Sequence, residues 1–335
     1  MPIPSGFSDY QMHDVMENAM ATRRFDWGCY VYPASWAWLR DWRKYNRTKK
    51  VYDCDPYAEV YQVRENMYAI FTENLNGGGD MWQYLIIGPQ RAMLVDTGFG
   101  LGNYKALCDT ITGGMELIVV NTHYGIDHAL GDCWFERIYG HERLAPLLRA
   151  QDEHIWDGLF DKSGHHLCVE YDRSALPVFK PFEVIGVPDG YTWDLGPGYE
   201  IELIFTGGHT DHHAIYLDKH NRTLLCGDMI CSSMTNCASI LPRISRGEDP
   251  AFTNFPYFRE RLAYIISRGN EFDNIFPGHY IMDVDKAVLT DELRAVDAII
   301  ANPDAYDFKQ DTIGRNGQPR TIRYKNITNF GVITY

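Results

Sequence analysis

Four short apolar runs in this sequence each stop at a histidine or an aspartate. They are "VVNTH", ending at His123, "LIFTGGH", ending at His209, "TLLCGD", ending at Asp228, and "NIFPGH", ending at His279. In the last three a glycine stands immediately before the polar residue. An apolar run of this length, bounded by turn residues, reads as a buried strand. The side chain just beyond it sits where the backbone leaves the sheet, and active sites of α/β proteins gather at such strand ends. One histidine there is ordinarily a capping or hydrogen-bonded residue. Chance does not set four such ends in succession, so the pattern points to strand ends that converge on one site. Nitrogen and oxygen donors in this number suit Zn²⁺, Mn²⁺ or Fe²⁺, one or two ions per chain.

The surrounding sequence alternates strand and helix signals. "MYAIFTEN", "QYLIIGP" and "RAMLVDTG" are β-rich runs, with Gly-Gly-Gly at 77–79 between the first two. "YKALCDTI" reads as a helix and "MELIVVNTH" as a buried strand. A short helix, a strand at "RIYGH" and a helical, irregular insertion over about 142–175 follow. Strands resume at "FEVIGVP" and "YEIELIFTGG", then a hairpin turns on "DKHN", and helices over about 252–268 and 284–301 bracket "FDNIFPGHY". Strands between helical layers are expected over residues 66–335.

Residues 1–65 differ. "WGCYVYPASWAWLRDWRKY" holds four tryptophans, Trp27, Trp36, Trp38 and Trp42, among tyrosines and basic residues. Such a stretch is expected to pack on the main body, with a subunit interface or a pocket wall as the other uses of so many aromatics. The formal net charge of −14 excludes non-specific nucleic-acid binding, which needs a positive surface. The eight cysteines are scattered without a CxxC pair, as for free thiols in a reducing compartment. "MPIPSGFSDYQMHD" lacks a basic start followed by an apolar stretch, and no window is apolar enough to span a bilayer. A cytoplasmic protein with no membrane or nucleic-acid partner is therefore expected.

The first run continues as "VVNTHYGIDHALGD", residues 119–132, which adds Asp127 and His128 to the donors. With "YLIIGPQRAMLVDTGFG" before it and "GGHT", "CGD" and "PGH" after it, the chain resembles the metallo-β-lactamase-fold metallohydrolases, in their glyoxalase II-like and lactonase-like branch. The resemblance covers about residues 66–300 and implies a four-layer αββα sandwich. It implies that Asp96, in the strand-end Asp-Thr-Gly, supports the metal loop from behind. The family's HxHxDH signature stands here as His123-Tyr124-Gly125-Ile126-Asp127-His128, so Gly125 replaces its second histidine. By the resemblance His123 and His209 bind one metal, Asp127, His128 and His279 a second, and Asp228 bridges them.

Gly125 leaves three options open: two metals with water or another residue filling the gap, one metal held mainly by the complete set, or a fold that has lost its metal chemistry. Tyr124, His212 and His213 are the candidates to fill the gap or support the ligands. Cys226, two residues before Asp228, is placed by strand alternation on the same side and is a further candidate behind the ligands. The expected activity is hydrolysis of a small ester, lactone, thioester or amide by a metal-activated water, with Asp127 or Asp228 taking its proton. The alternatives are a mononuclear iron oxidoreductase like the sulfur dioxygenases, for which His123, His209 and Asp228 supply two histidines and a carboxylate, and a metal-dependent lyase or decarboxylase. A small-molecule substrate is the expected partner, and self-association through the aromatic segment or the C-terminal "TIRYKNITNFGVITY" is compatible with the sequence.

Overall fold

The computed structural model describes residues 22–23, 33–76, 80–236, 247–313, 319–328 and 330–335. Trp27, Cys29, the three glycines at 77–79 and Cys237 therefore lie outside the described residues. The chain runs from a two-residue strand β1 (Thr22–Arg23) through helix α1 (Pro33–Tyr45) into β2 (Lys50–Tyr52), β3 (Asp55–Arg64), β4 (Met67–Thr72), β5 (Met81–Ile87) and β6 (Ala92–Val95). Helix α2 (Tyr104–Thr112) leads to β7 (Leu117–Val120), α3 (Ile126–Ala129), β8 (Arg137–His141), α4 (Ala145–Arg149), β9 (Val169–Glu170) and β10 (Glu183–Val187). The second half holds β11 (Thr192–Asp194), β12 (Glu200–Phe205), β13 (Ala214–Asp218), β14 (Thr223–Gly227), β15 (Met234–Thr235), α5 (Phe255–Ser267), β16 (Asn274–Pro277), β17 (Val284–Asp285) and α6 (Ala287–Ala301). It closes with β18 (Phe308–Ile313), β19 (Pro319–Ile327) and β20 (Gly331–Thr334).

Eight strands form one sheet in the order β10-β8-β7-β6-β5-β4-β3-β2, and six form a second in the order β11-β12-β13-β14-β16-β17. Both are buried on two faces, which is why their strands read as apolar runs and not as alternating ones. Met93, Val95 and Val120 of the first sheet meet Leu203, Phe205, Tyr216, Leu225 and Phe276 of the second in one core. The opposite face of the first sheet carries Leu94 and Val119 onto Leu107 of α2 and Leu148 of α4. The opposite face of the second carries Ile215 and Leu224 onto Leu262 of α5 and Val296 of α6. The result is the four-layer αββα sandwich that the family resemblance implied.

Two stretches differ from the sequence expectation. Residues 50–64, grouped with the extension, form the first two strands of the large sheet. The charges in "DPYAEVYQVR" mask a strand whose centre, residues 58–61, is buried. Over 142–175 the regular structure is a five-residue helix, two 3₁₀ turns and a two-residue strand.

Helix α1 does pack on the main body. Proline at its start and Arg43 and Lys44 in its last turn suit the two ends of a helix. Trp38 and Trp42, one turn apart, stack with centroids 5.8 Å apart, and Trp42 meets Tyr61 at 4.5 Å and Trp82 at 5.6 Å. Beside them Arg43 pairs with Glu59 at 2.8 Å and lies 3.6 Å over the Phe71 ring, while Lys49 reaches the other Glu59 oxygen at 2.7 Å. Burial alone would raise the Glu59 pKa, but Arg43, Lys49 and the Tyr61 hydroxyl outweigh it and hold it at about 2.

The strands that carry the polar ends run the same way. β14 is parallel to β16 and antiparallel to β13, which is antiparallel to β12, and β6 is parallel to β7. Their C-terminal ends therefore open on one edge of the sandwich. Hydrogen bonds between the sheets fix that edge: Ala214 N–H to Thr122 O at 2.8 Å, Tyr216 Oη to Asn121 O at 2.7 Å and Tyr84 Oη to Pro277 O at 2.6 Å.

Candidate metal centre

Six donors meet at this edge in two groups, His123 with His209 and Asp228, and Asp127 with His128 and His279. Within each group the donor atoms lie within 4.8 Å of one another. His123 follows β7, Asp127 and His128 sit on α3, His209 follows β12, Asp228 follows β14 and His279 follows β16. One carboxylate reaches both groups: Asp228 Oδ2 is 3.5 Å from His209 Nε2, and Oδ1 is 3.3 Å from His128 Nε2 and 3.2 Å from His279 Nε2.

All four imidazoles are held by their δ nitrogens. His128 Nδ1 donates to Asp96 Oδ2 at 2.8 Å, His279 Nδ1 to the Asp80 carbonyl at 2.9 Å and His209 Nδ1 to the Asn236 carbonyl at 2.8 Å. Thr122 Oγ1 gives its proton to Asp96, so at 3.1 Å it accepts from His123 Nδ1. These bonds set the tautomer and leave the ε nitrogens as the ring donors toward the centre. Asp96 is the hub, since its Oδ1 also accepts the Thr122 N–H at 2.7 Å. Its backbone is left-handed, φ 64°, which turns the carboxylate under the loop.

The charges fit a divalent cation. Burial opposes a proton on His128 and His279, yet Asp228 and the neighbouring aspartates outweigh it; the His128 pKa lies well above the ordinary value and that of His279 is raised to about 9. Burial and its histidine neighbours push His123 far down, so it is neutral. Against its own burial, Asp228 is held ionised by His279, His128 and His209. Asp228 Oδ1 is buried, with the ε nitrogens of His128 and His279 at 3.3 and 3.2 Å as its polar neighbours. A cation held there would take the place of the protons on the two histidines, so its binding would release protons.

Gly125 is extended, φ −99°, and caps α3. A Cβ there would stand 2.7 Å from His123 Nε2 and 2.9 Å from His128 Cδ2. A side chain there would press on the ends of the donor side chains, which would have to shift to admit it, so what glycine supplies here is space and not conformational freedom. Tyr124 packs into the apolar cluster outside the first sheet. His212 Nδ1 bonds Asp211 at 2.8 Å, and Asp211 is tied in turn to Arg143. His213 supports the bridging residue: its Nε2 accepts the Asp228 N–H at 3.2 Å while its Nδ1 donates to Thr206 Oγ1 at 2.7 Å.

Cys226 does not join the ligands. Its side chain lies in the core between the second sheet and helices α5 and α6. Simple alternation fails because the β14–β16 register slips between Leu225 and Gly227, and Gly227 turns left-handed, φ 49°. That turn sends Asp228 to the site and leaves Cys226 behind. The six described cysteines are all free thiols.

Sequence reasoning missed Asn74, whose Nδ2 donates to Asp127 Oδ2 at 3.0 Å. It also missed Cys231, Met234, Asn236 and Tyr280, which with the ligands line a cavity of about 170 Å³. Trp38 and Trp42 border a different groove, beside Met282 and Asp283. No described helix is long and apolar enough to cross a membrane.

Residues 77–242 match the family model described as the metallo-beta-lactamase superfamily. Among solved structures, a metallo-beta-lactamase from Pontibacter korlensis is similar at 15% identity and a TM-score of 0.49, covering 72% of this chain and 99% of its own. The DIM-1 metallo-beta-lactamase is similar at 18% identity and a TM-score of 0.48, covering 72% of this chain and 98% of its own.

Proposed function

The chain belongs to the metallo-β-lactamase superfamily, and from that premise we propose that it is a metal-dependent hydrolase of a small ester, lactone, thioester or amide. The observation that supports this reading best is the single carboxylate, Asp228, within 3.5 Å of histidine ε nitrogens from both donor groups. His123, His209 and Asp228 would hold one ion, and Asp127, His128 and His279 a second, with Asp228 shared. A bound divalent ion supplies an acidified water and an electrophile for the scissile carbonyl. The rest falls to the chain. Asp127, anchored by Asn74 at the cavity wall, and Asp228 are the carboxylates placed to orient a water and accept its proton. Met234, Cys231 and Tyr280 give the substrate a mostly apolar wall.

The test is metal content by mass spectrometry of protein purified without a chelating tag, followed by a panel of esters, lactones, thioesters and amides. Zinc or manganese at one or two ions per chain, with hydrolysis lost in Asp228→Asn, is the expected result. A protein that binds no divalent ion and hydrolyses nothing after reconstitution overturns it. One observation favours a second reading: His123, His209 and Asp228 are two histidines and a carboxylate in a single group, the set used by non-haem iron oxygenases. Co-purified iron and substrate-dependent oxygen uptake would select that reading.

A further inference from the structure

Strands β15, β18, β19 and β20 share a small sheet, and among the described residues its longer edge strand, β18, has a neighbour on one side only. Their order is β15-β20-β19-β18, and β18 pairs with β19 on one side through six consecutive register pairs from Phe308–Tyr324 to Ile313–Pro319. Among the described residues no strand pairs with its other side. β18 reads Phe308-Lys309-Gln310-Asp311-Thr312-Ile313, with neither proline nor glycine to spoil pairing. A regular edge strand of this length is a template for another strand. A lysine on such an edge commonly repels a second copy, but here an exposed aspartate follows two residues later.

We propose that this protein forms a homodimer through β18, two copies of the strand pairing antiparallel across a two-fold axis so that two four-stranded sheets become one of eight. The register follows from charge. With the axis at Gln310, Lys309 stands opposite the partner's Asp311, and Asp311 opposite the partner's Lys309. Moving the axis to Lys309 or to Asp311 sets like charges face to face, which is destabilising in a cross-strand pair. A two-fold contact uses the same patch on both copies, and of the axes at Lys309, Gln310 and Asp311 the one at Gln310 sets opposite charges together. On the other face, alternation places Phe308, 41% exposed and stacked on Tyr324 at 4.4 Å, opposite the partner's Thr312. Six residues a side make a small contact, so the dimer is of moderate strength, with a dissociation constant on the order of micromolar.

The experiment is light scattering coupled to size exclusion on the full chain over a concentration series. Wild type is expected to run as a dimer that dissociates on dilution. Asp311→Lys and Lys309→Asp, each bringing like charges together twice across the axis, should weaken it by roughly tenfold or more. The double variant Lys309→Asp/Asp311→Lys restores opposite charges and should restore the dimer. Asp311 also accepts a hydrogen bond from Thr321 Oγ1 at 2.6 Å, so Lys309→Asp, which leaves that bond in place, is the single variant expected to melt as the wild-type monomer does. A wild type that stays monomeric at the highest soluble concentration overturns the proposal. So does a dimer indifferent to both single reversals, or a double variant no better than the singles.

Discussion

Asp96 touches neither donor group's centre, yet it fixes His128 directly and His123 through Thr122. Asparagine tolerates its left-handed backbone, so Asp96→Asn removes the charge without straining the turn. We expect metal affinity to fall by roughly 10- to 100-fold with the fold intact, read by competition with a chromophoric chelator. An unchanged affinity would show that the imidazoles are held by packing alone. Gly125 yields a second prediction. Because a Cβ there would stand 2.7 Å from His123 Nε2, Gly125→Ala should lower metal occupancy although alanine carries no competing donor. If Gly125→Ala binds metal as wild type does, the ligands have more freedom than their spacing implies. The six donors are legible in the sequence because each ends its own apolar run or falls in one short motif. Of their hydrogen-bond partners Asp96 is legible too, through its Asp-Thr-Gly, whereas the Asp80 and Asn236 carbonyls are backbone groups that any residue would offer. Cys226 misleads because alternation says nothing of the register slip at Gly227.

At the level of elements, Asp55 joins the start of β3 to the start of α2. Its Oδ1 accepts the Tyr57 N–H at 3.1 Å, and the Asn103 backbone gives a second bond. Burial raises its pKa to about 7, and those bonds offset only part of that cost. The sign follows from linkage: the folded value lies above the ordinary value of about 3.9, so the stability Asp55 contributes is complete below that pH and is lost as pH rises through 7. Asp55→Asn keeps the shape and needs no proton. It should match wild type near pH 4 and exceed it above pH 7 by on the order of 2 kcal/mol, measured by urea unfolding at both pH values. A gap that does not change with pH would refute the buried-acid account. Periodicity located most elements: β8 was expected at "RIYGH" and is Arg137–His141, and α5, expected over about 252–268, is Phe255–Ser267. It failed over 142–175, where helix-like apolar spacing folds mostly as turns.

For the whole molecule, sequence order and spatial order coincide in a way no single motif reveals. Every strand of the first sheet lies within residues 50–187 and every strand of the second within 192–285. The donors divide in the same way. His123, Asp127 and His128 come from the first half and His209, Asp228 and His279 from the second, and each group of three takes members from both. A cation in either group therefore bridges the halves, and chelation should lower the melting temperature in proportion to the binding free energy lost. The only connection between the two sheets along the chain is the exposed segment 188–191. A cut there would leave two polypeptides, each with one of the two large sheets and half of the donors. Their mutual affinity should rise with added zinc and fall with a chelator, followed by native mass spectrometry. Fragments that associate equally well in both would mean the apolar core alone joins them. If the ion governs their union, the protein can be supplied in two pieces, and its reassembly becomes a gauge of free metal.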